Sequence, residues 1–272
     1  MCNESRMLAV AAASLAGIVL MAGALGCGGQ AEQPAAGGPL AVASENVWNR
    51  QGPYPCRRAT GPIAIDQKQH AEQWAHAAVI TDWIVPVTGK QASDQTQMRM
   101  LWDDECLYVY YVAYDRDLRG TFTKRDDPIY QEDVVELFLK PYADKPFYYE
   151  FEVNPIGTVM ALEIPGVKEK AGLSLTDMSQ WETGIRCAVK AAGTVNKPGD
   201  GDEYFQVVMA IPWKNMRHIG SAPKAGEVWR FNGARCNRSA GLPKEREFSA
   251  GAFLSRIDFH PTADYASLRF AD

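Results

Sequence analysis

The segment 147–153, FYYEFEV, constrains this chain more than any other, because its side chains change character with a period of two. Phe147, Tyr149, Phe151 and Val153 fall on one side of an extended backbone. Tyr148, Glu150 and Glu152, followed by Asn154, fall on the other. Related segments recur along the chain between turn signals. Gln97–Trp102 places Met98, Met100 and Trp102 on one face, and Cys106–Tyr114 is a run of aromatic and β-branched residues. Asp133–Leu139, Thr158–Ile164, Ile185–Ala191, Tyr204–Ile211, Val228–Arg235 and Ser267–Phe270 continue the series. Only Ala71–Ala78 and Trp213–Ile219 suggest helix, two turns each. Roughly ten strands with so little helix predict an all-β fold, a two-sheet β-sandwich of jelly-roll type. Glu136, Glu150 and Glu152 fall on one face of successive strands. That predicts a polar, partly open sheet face, with Arg99, Arg230 or Arg235 as ion partners.

The N-terminus bears on compartment. Arg6 precedes an apolar run from Met7 to Leu25, which meets Ala24-Leu25-Gly26-Cys27. A charged start, an apolar middle and small residues before a cysteine read as a lipoprotein signal peptide over residues 1–27. Cys27 is then the lipidated residue, and the exported chain is expected on a membrane, at the outer membrane or cell surface. Gly28, not Asp, follows the cysteine. Residues 28–44 are a Gly/Ala/Pro/Gln tether, and residues 45–272 form one domain. A net charge of -5, with no Lys/Arg run, sets nucleic-acid binding aside. Cys56, Cys106, Cys187 and Cys236 permit up to two disulfides in three pairings, or four buried thiols.

The sequence carries no H-E-x-x-H, no G-x-S-x-G and no phosphate-binding glycine loop. Glu150 and Glu152 are roughly 6.5–7 Å apart by strand rise, a spacing that could imitate a glycosidase pair. Their reading here is a solvated or ion-paired sheet face. His260, in Asp258-Phe259-His260-Pro261, is the histidine with the most unusual context, and a structural role is expected for it. Asp115, Asp117, Gly120 and Asp126 superficially imitate a calcium loop but read as a hairpin. Asp103-Asp104 and Glu132-Asp133 are further oxygen-rich spots. Asp103, Asp104 and Asp133 are the expected ligands of a structural Ca2+.

An ordered set of segments resembles the family 9 carbohydrate-binding modules, in their broad bacterial branch. It begins with Cys56-Arg57-Arg58, a strand at Ile63-Ala64-Ile65-Asp66, and Trp74. Leu101-Trp102-Asp103-Asp104-Glu105-Cys106-Leu107-Tyr108 follows, then Lys124-Arg125-Asp126 and Asp133 to Leu139. Tyr149 to Asn154 with Gly157, Gly193-Thr194-Val195-Asn196, Ala210-Ile211-Pro212-Trp213, Gly226 to Asn232 with Arg235, and Phe259-His260-Pro261 complete it. The resemblance spans about Tyr54 to Phe270. It implies a β-sandwich that binds sugar without catalysis, often with structural calcium. Its expected partners are a carbohydrate ligand and polysaccharide-degrading enzymes encoded separately. Phe205 and Val208 depart from the family pattern, as does the stretch from Thr262 to Ala266.

A sugar offers an apolar C–H face to aromatic rings and a rim of hydroxyls to charged or amide groups. The expected carbohydrate-binding residues are therefore Tyr130 and Trp181, with Arg125, Glu150, Asn154 and Arg235. The alternative is a periplasmic electron-transfer sandwich holding a b-type haem between its sheets. Met98, Met100, Met160 or Met209 would then face His260 or Lys190 across an apolar pocket.

Overall fold

The computed structural model describes residues 52–68, 70–166, 173–239 and 246–272. The signal segment, Cys27, the tether and the start of the expected domain lie outside the described residues. Among the described residues twelve strands follow one another: β1 (Tyr54–Arg58), β2 (Val79–Ile80), β3 (Thr96–Trp102), β4 (Cys106–Tyr114), β5 (Val134–Lys140), β6 (Tyr148–Val153), β7 (Val159–Ile164), β8 (Arg186–Ala192), β9 (Tyr204–Pro212), β10 (Val228–Asn237), β11 (Glu247–Ala250) and β12 (Ala266–Ala271). A single α-helical turn and a half, α1 (Leu175–Ser179), is capped by Ser174 and Asp177 in a reciprocal box. The expected helices shorten to 3₁₀ turns, Ala71–Trp74 and Trp213–Asn215.

All twelve strands belong to one hydrogen-bonded sheet in the order β7-β6-β5-β10-β12-β1-β3-β4-β9-β8, with β11 on β10 and β2 on β3. The sheet curls into two layers. The join is β1, which runs parallel to both β12 and β3. The sequence reading missed β1 as a strand and placed one at Ile63–Asp66 instead. Those residues form no strand, and Ala64 N–H is taken by the Gln73 side chain rather than by a ladder.

Alternation along each strand sorts the interior. Leu107, Val109, Tyr111 and Ala113 of β4, with Phe205, Val207, Met209 and Ile211 of β9, face Val135, Leu137 and Leu139 of β5 and Tyr149, Phe151 and Val153 of β6 in one large core between the layers. Gly233 of β10 lies on this inner face; a Cβ there would sit 2.6 Å from Met98 Sδ, so a larger residue would displace the Met98 side chain. The opposite face of β4 and β9 carries Tyr108, Tyr110, Val112, Val208 and Ala210, covered by Trp74, which stacks on Tyr110 at 5.3 Å. The opposite face of β5, β6 and β7 is covered as well, by Leu254, Phe259 and Tyr265. The expectation of a sheet covering its core on one side only is therefore corrected: Glu136, Glu150 and Glu152 are 2%, 5% and 1% exposed.

An aromatic group closes one end of the inner core. The rings of Trp229 and Phe270 are 4.9 Å apart, and Trp102 and Trp213 stand edge-on to Phe270. Trp213 Nε1 donates to Asp103 O at 2.8 Å, which ties the Pro-Trp segment to the β3–β4 turn. Cys56, Cys106, Cys187 and Cys236 are all free thiols, three of them buried, so of the open alternatives the structure takes the one without disulfides.

Candidate functional site

The outer face of β5, β6 and β7 builds a cavity because its rows are set by register. Glu136 is opposite Glu152, and Phe138 is opposite Glu150. On β7, Met160 and Leu162 stand opposite Glu152 and Glu150, and Ile164 opposite Tyr148. The 3₁₀ turn Ile129–Gln131, the end of β10, β11 and the Ile257–His260 stretch rise around these rows. Together they enclose about 430 Å³, at the small end of the range of about 300–1,000 Å³ usual for small-molecule sites. Glu136, Glu150, Phe138, Met160, Leu162 and Ile164 supply sheet-face residues to the lining, and Tyr130, Arg238, Arg246, Phe248, Asp258 and His260 come from the surrounding segments.

The surrounding wall is held from outside the cavity. Tyr265 OH donates to Phe259 O at 2.9 Å, and Phe259 packs edge-on to Phe248 at 5.5 Å. Tyr148 Oη and His260 Nδ1 are hydrogen-bonded at 2.9 Å, which gives His260 the expected structural tie while leaving its ring in the lining. Arg238 N–H donates to Asp133 Oδ1 at 2.6 Å, and its guanidinium donates to Tyr130 O at 3.0 Å. Arg246 lies over the Phe248 ring at 5.0 Å, a cation on an aromatic face.

Charge at the sheet face is unusual. Burial, and then the charge of Glu150, push the Glu136 carboxyl well above the carboxylate range, against a hydrogen bond from Cys236. Glu152 is pushed up by burial first, then by Glu136 and Glu150. The Cys236 thiol, itself raised mainly by burial, donates to Glu136 Oε1 at 3.2 Å. The expected arginine partners are elsewhere. Arg235 pairs with Asp115, Arg230 donates to Tyr265 O, and Arg99 donates to Gln97.

Of the six residues expected to bind carbohydrate, the cavity brings together Tyr130 and Glu150. Arg125 and Trp181 line a different, wider cleft of about 1050 Å³ with Lys214, Asn215 and Arg217. Trp181 packs there on Tyr149 and Phe151. Asn154 is fully buried; it donates to Phe122 O and Glu132 Oε1 and accepts from Thr158 N–H, so it pins the β6–β7 turn. Arg235 is fully buried, with its guanidinium 2.7 Å from Asp115 Oδ2. The sequence reading missed Arg238, Arg246 and Phe248, which flank or lie on a strand it did not include. Phe259 and His260 carried a signal in the Asp-Phe-His-Pro string.

The expected calcium ligands occupy two places in the fold, each engaged with protein donors. Asp103 accepts from Glu105 N–H, Cys106 N–H and Tyr108 OH, and Asp104 pairs with Arg58. Asp133 accepts from Arg119 N–H and Arg238 N–H on its two oxygens. Asp103 stands before the first residue of β4, while Asp133 neighbours Asp115 beyond its last. A nine-residue strand separates the two ends by about 30 Å, so Asp103-Asp104 and Asp133 are two separate oxygen-rich spots, as the sequence reading has them. In the calcium-loop imitation, Asp117 pairs with Arg119 and Asp126 accepts from Ala161 N–H.

The space a haem would need between the layers is filled with side chains. Met98, Met100 and Met209 are enclosed in that core with no exposure. Met160 and His260 both line the outer-face cavity, whose lining also includes two glutamates, and Lys190 lies on β8 at the far edge of the sheet.

The chain matches the pattern of the carbohydrate family 9 binding domain-like family over residues 65–245. Among solved structures it is similar to a proposed carbohydrate-binding protein from Bacteroides uniformis, at 15% identity and a TM-score of 0.58, covering 79% of this chain and 97% of that one. It is also similar to a family 9 carbohydrate-binding module from Caldicellulosiruptor kristjanssonii in two structures. The complex with cellotriose gives 16% identity and a TM-score of 0.51, covering 80% of this chain and 93% of that one. The complex with glucose gives 16% and 0.50, covering 79% and 94%. No curated protein matches the chain in sequence. The match spans well over half of the sequence, and the chain belongs to the carbohydrate family 9 binding domain-like family.

Proposed function

We propose that the domain holds a carbohydrate, without catalysis, in the cavity on the outer face of β5, β6 and β7. The observation that carries this reading is the pairing of surfaces there. Phe138, Phe248 and Phe259 offer apolar area to a sugar ring, while Glu150, Arg238, Arg246, Asp258 and His260 offer donors and acceptors to its hydroxyls. The volume suits one or two sugar units, and the Caldicellulosiruptor complexes make glucose and β-linked glucose oligomers the first ligands to test. The acid pair of a glycosidase is not supported, because Glu152 is buried beneath neighbours and does not line the cavity.

Glucose and cellotriose titrations, with a glycan array for breadth, test the reading. Arg246→Ala removes an exposed side chain of the rim without touching the core, and a tenfold or larger loss of affinity is expected. Silence of the wild-type protein across plant, algal and bacterial glycans removes the function.

The signal-like N-terminal sequence supports a proposed role at the cell envelope. In this reading Cys27 carries the lipid, residues 28–44 are the tether, and the domain presents glycan to separately encoded enzymes. Cys27→Ala is expected to move the protein into the soluble fraction; retention on membranes would mean an uncleaved anchor.

A further inference from the structure

We infer that Glu136, Glu150 and Glu152 form a binding site for one hard divalent cation, of the Ca2+ or Mn2+ type, beside the cavity floor. Each offers a carboxyl oxygen, and the three oxygens lie within 4.8 Å of one another. That is the span of a single ion, since oxygens on opposite sides of a Ca2+ at about 2.4 Å are about 4.8 Å apart. The sheet fixes the triangle. Glu136 and Glu152 are cross-strand partners, and Glu150 follows Glu152 on the same face of β6.

Unpartnered polar atoms on this face point to a missing ligand. Glu152 is 1% exposed, and outside the glutamate cluster neither of its carboxyl oxygens has a hydrogen-bond partner. Asn232 of β10 is opposite Phe138 on the same face and diagonal to Glu136. It is also buried, with both side-chain amide atoms unpartnered. A buried polar side chain with no partner is costly, and the Glu152 carboxyl places two such oxygens within the cluster itself. The three donors of the cluster are all carboxyl oxygens, a set that favours Ca2+ or Mn2+ over softer metals. Glu136 and Glu150 line the cavity, so the ion would keep a face toward whatever occupies it. The site is distinct from Asp103, Asp104 and Asp133.

The competing account is that the three carboxyls share protons and hold no metal. The full chain, purified in detergent and stripped with EDTA, separates the two. In Mn2+ binding followed by electron paramagnetic resonance, without sugar, we expect one ion per chain, displaced by Ca2+. Glu152→Gln keeps the shape and removes one charge. It should weaken Mn2+ binding at least tenfold, and circular dichroism reports whether it folds. Ca2+ should raise the melting temperature of the wild type and leave that of Glu152→Gln unchanged. Three outcomes overturn the proposal: no stoichiometric Mn2+ in the wild type, undiminished binding in folded Glu152→Gln, or loss of the ion in Asp133→Asn but not in Glu152→Gln. Because no sugar is present, these outcomes are independent of the carbohydrate reading.

Discussion

Arg235 offers the sharpest test of the structure, because its burial contradicts a role in sugar contact. Its guanidinium meets Asp115 at 2.7 Å with both side chains at 0% exposure, and a second nitrogen reaches Thr96 Oγ1 at 3.3 Å. Asp115 keeps neutral donors without it: Ser239 OH at 2.5 Å and Asp117 N–H at 3.0 Å. What disappears in Arg235→Met is the guanidinium charge that offsets Asp115 and the neighbouring Asp133 carboxyl. Breaking a buried pair by removing one partner costs about 3–5 kcal/mol. In a domain of this size each kcal/mol lowers the melting temperature by about 2–4 °C, so a fall of roughly 6–20 °C is expected. The double variant Asp115→Asn/Arg235→Met removes both charges and should regain most of that loss. Thermal melts by circular dichroism, with glucose titration of each folded variant, provide the assay. The reasoning is refuted if Arg235→Met melts within about 2 °C of the wild type, and more so if sugar binding is lost at the same time.

Three further outcomes follow from the same geometry. Asp133 is raised from 3.8 to about 7, by burial and then by the Asp115 charge, against Arg235 and two backbone N–H donors. The folded state therefore holds this proton more tightly than the unfolded state. Stability should fall by up to about 4 kcal/mol as pH climbs from about 4 to about 7 and then level off. Urea melts across that window check it, and a slope that Asp133→Asn does not flatten argues against the assignment. Trp181→Ala should cost about 2 kcal/mol through lost packing on Tyr149 and Phe151, yet leave glucose affinity unchanged. Normal melting with abolished binding would move the sugar to the Arg125–Trp181 cleft. Finally, reducing agent should not shift the melting temperature, and alkylation of the native protein should reach the half-buried Cys187 before the buried Cys56, Cys106 and Cys236; an early adduct at Cys56 would contradict the packing of β1.

The strands were legible because burial in a sandwich imprints a period of two. Cys106–Tyr114 reads as a strand from its residues alone, and its inner and outer halves sort as alternation requires. β1 was not legible. Tyr54–Arg58 contains a proline and two arginines, and it becomes a strand only because the distant β12 and β3 flank it in parallel. No local pattern announces a partner at the other end of the chain.

The site failed to read out for a related reason. An acidic residue on a strand reads as solvent-facing, since a single sequence shows one row of a face and not what lies above it. Here the rows of Glu136 and of Glu150 and Glu152 are covered by β11 and the stretch around Phe259, which come from the last tenth or so of the chain. The same inversion explains Arg235 and Asn154. Both sit at positions where a polar side chain on a sheet suggests a ligand, and both are consumed by partners that only the fold supplies, Asp115 across 120 residues and Glu132 across 22. The residues that remain on the cavity wall, Arg238, Arg246 and Phe248, cluster around the short strand that the sequence conceals. In this sandwich the core follows from strand periodicity, whereas binding capacity follows from which polar residues the fold leaves unspent. Glu152 and Asn232 are among the buried side chains whose polar atoms this face leaves unspent.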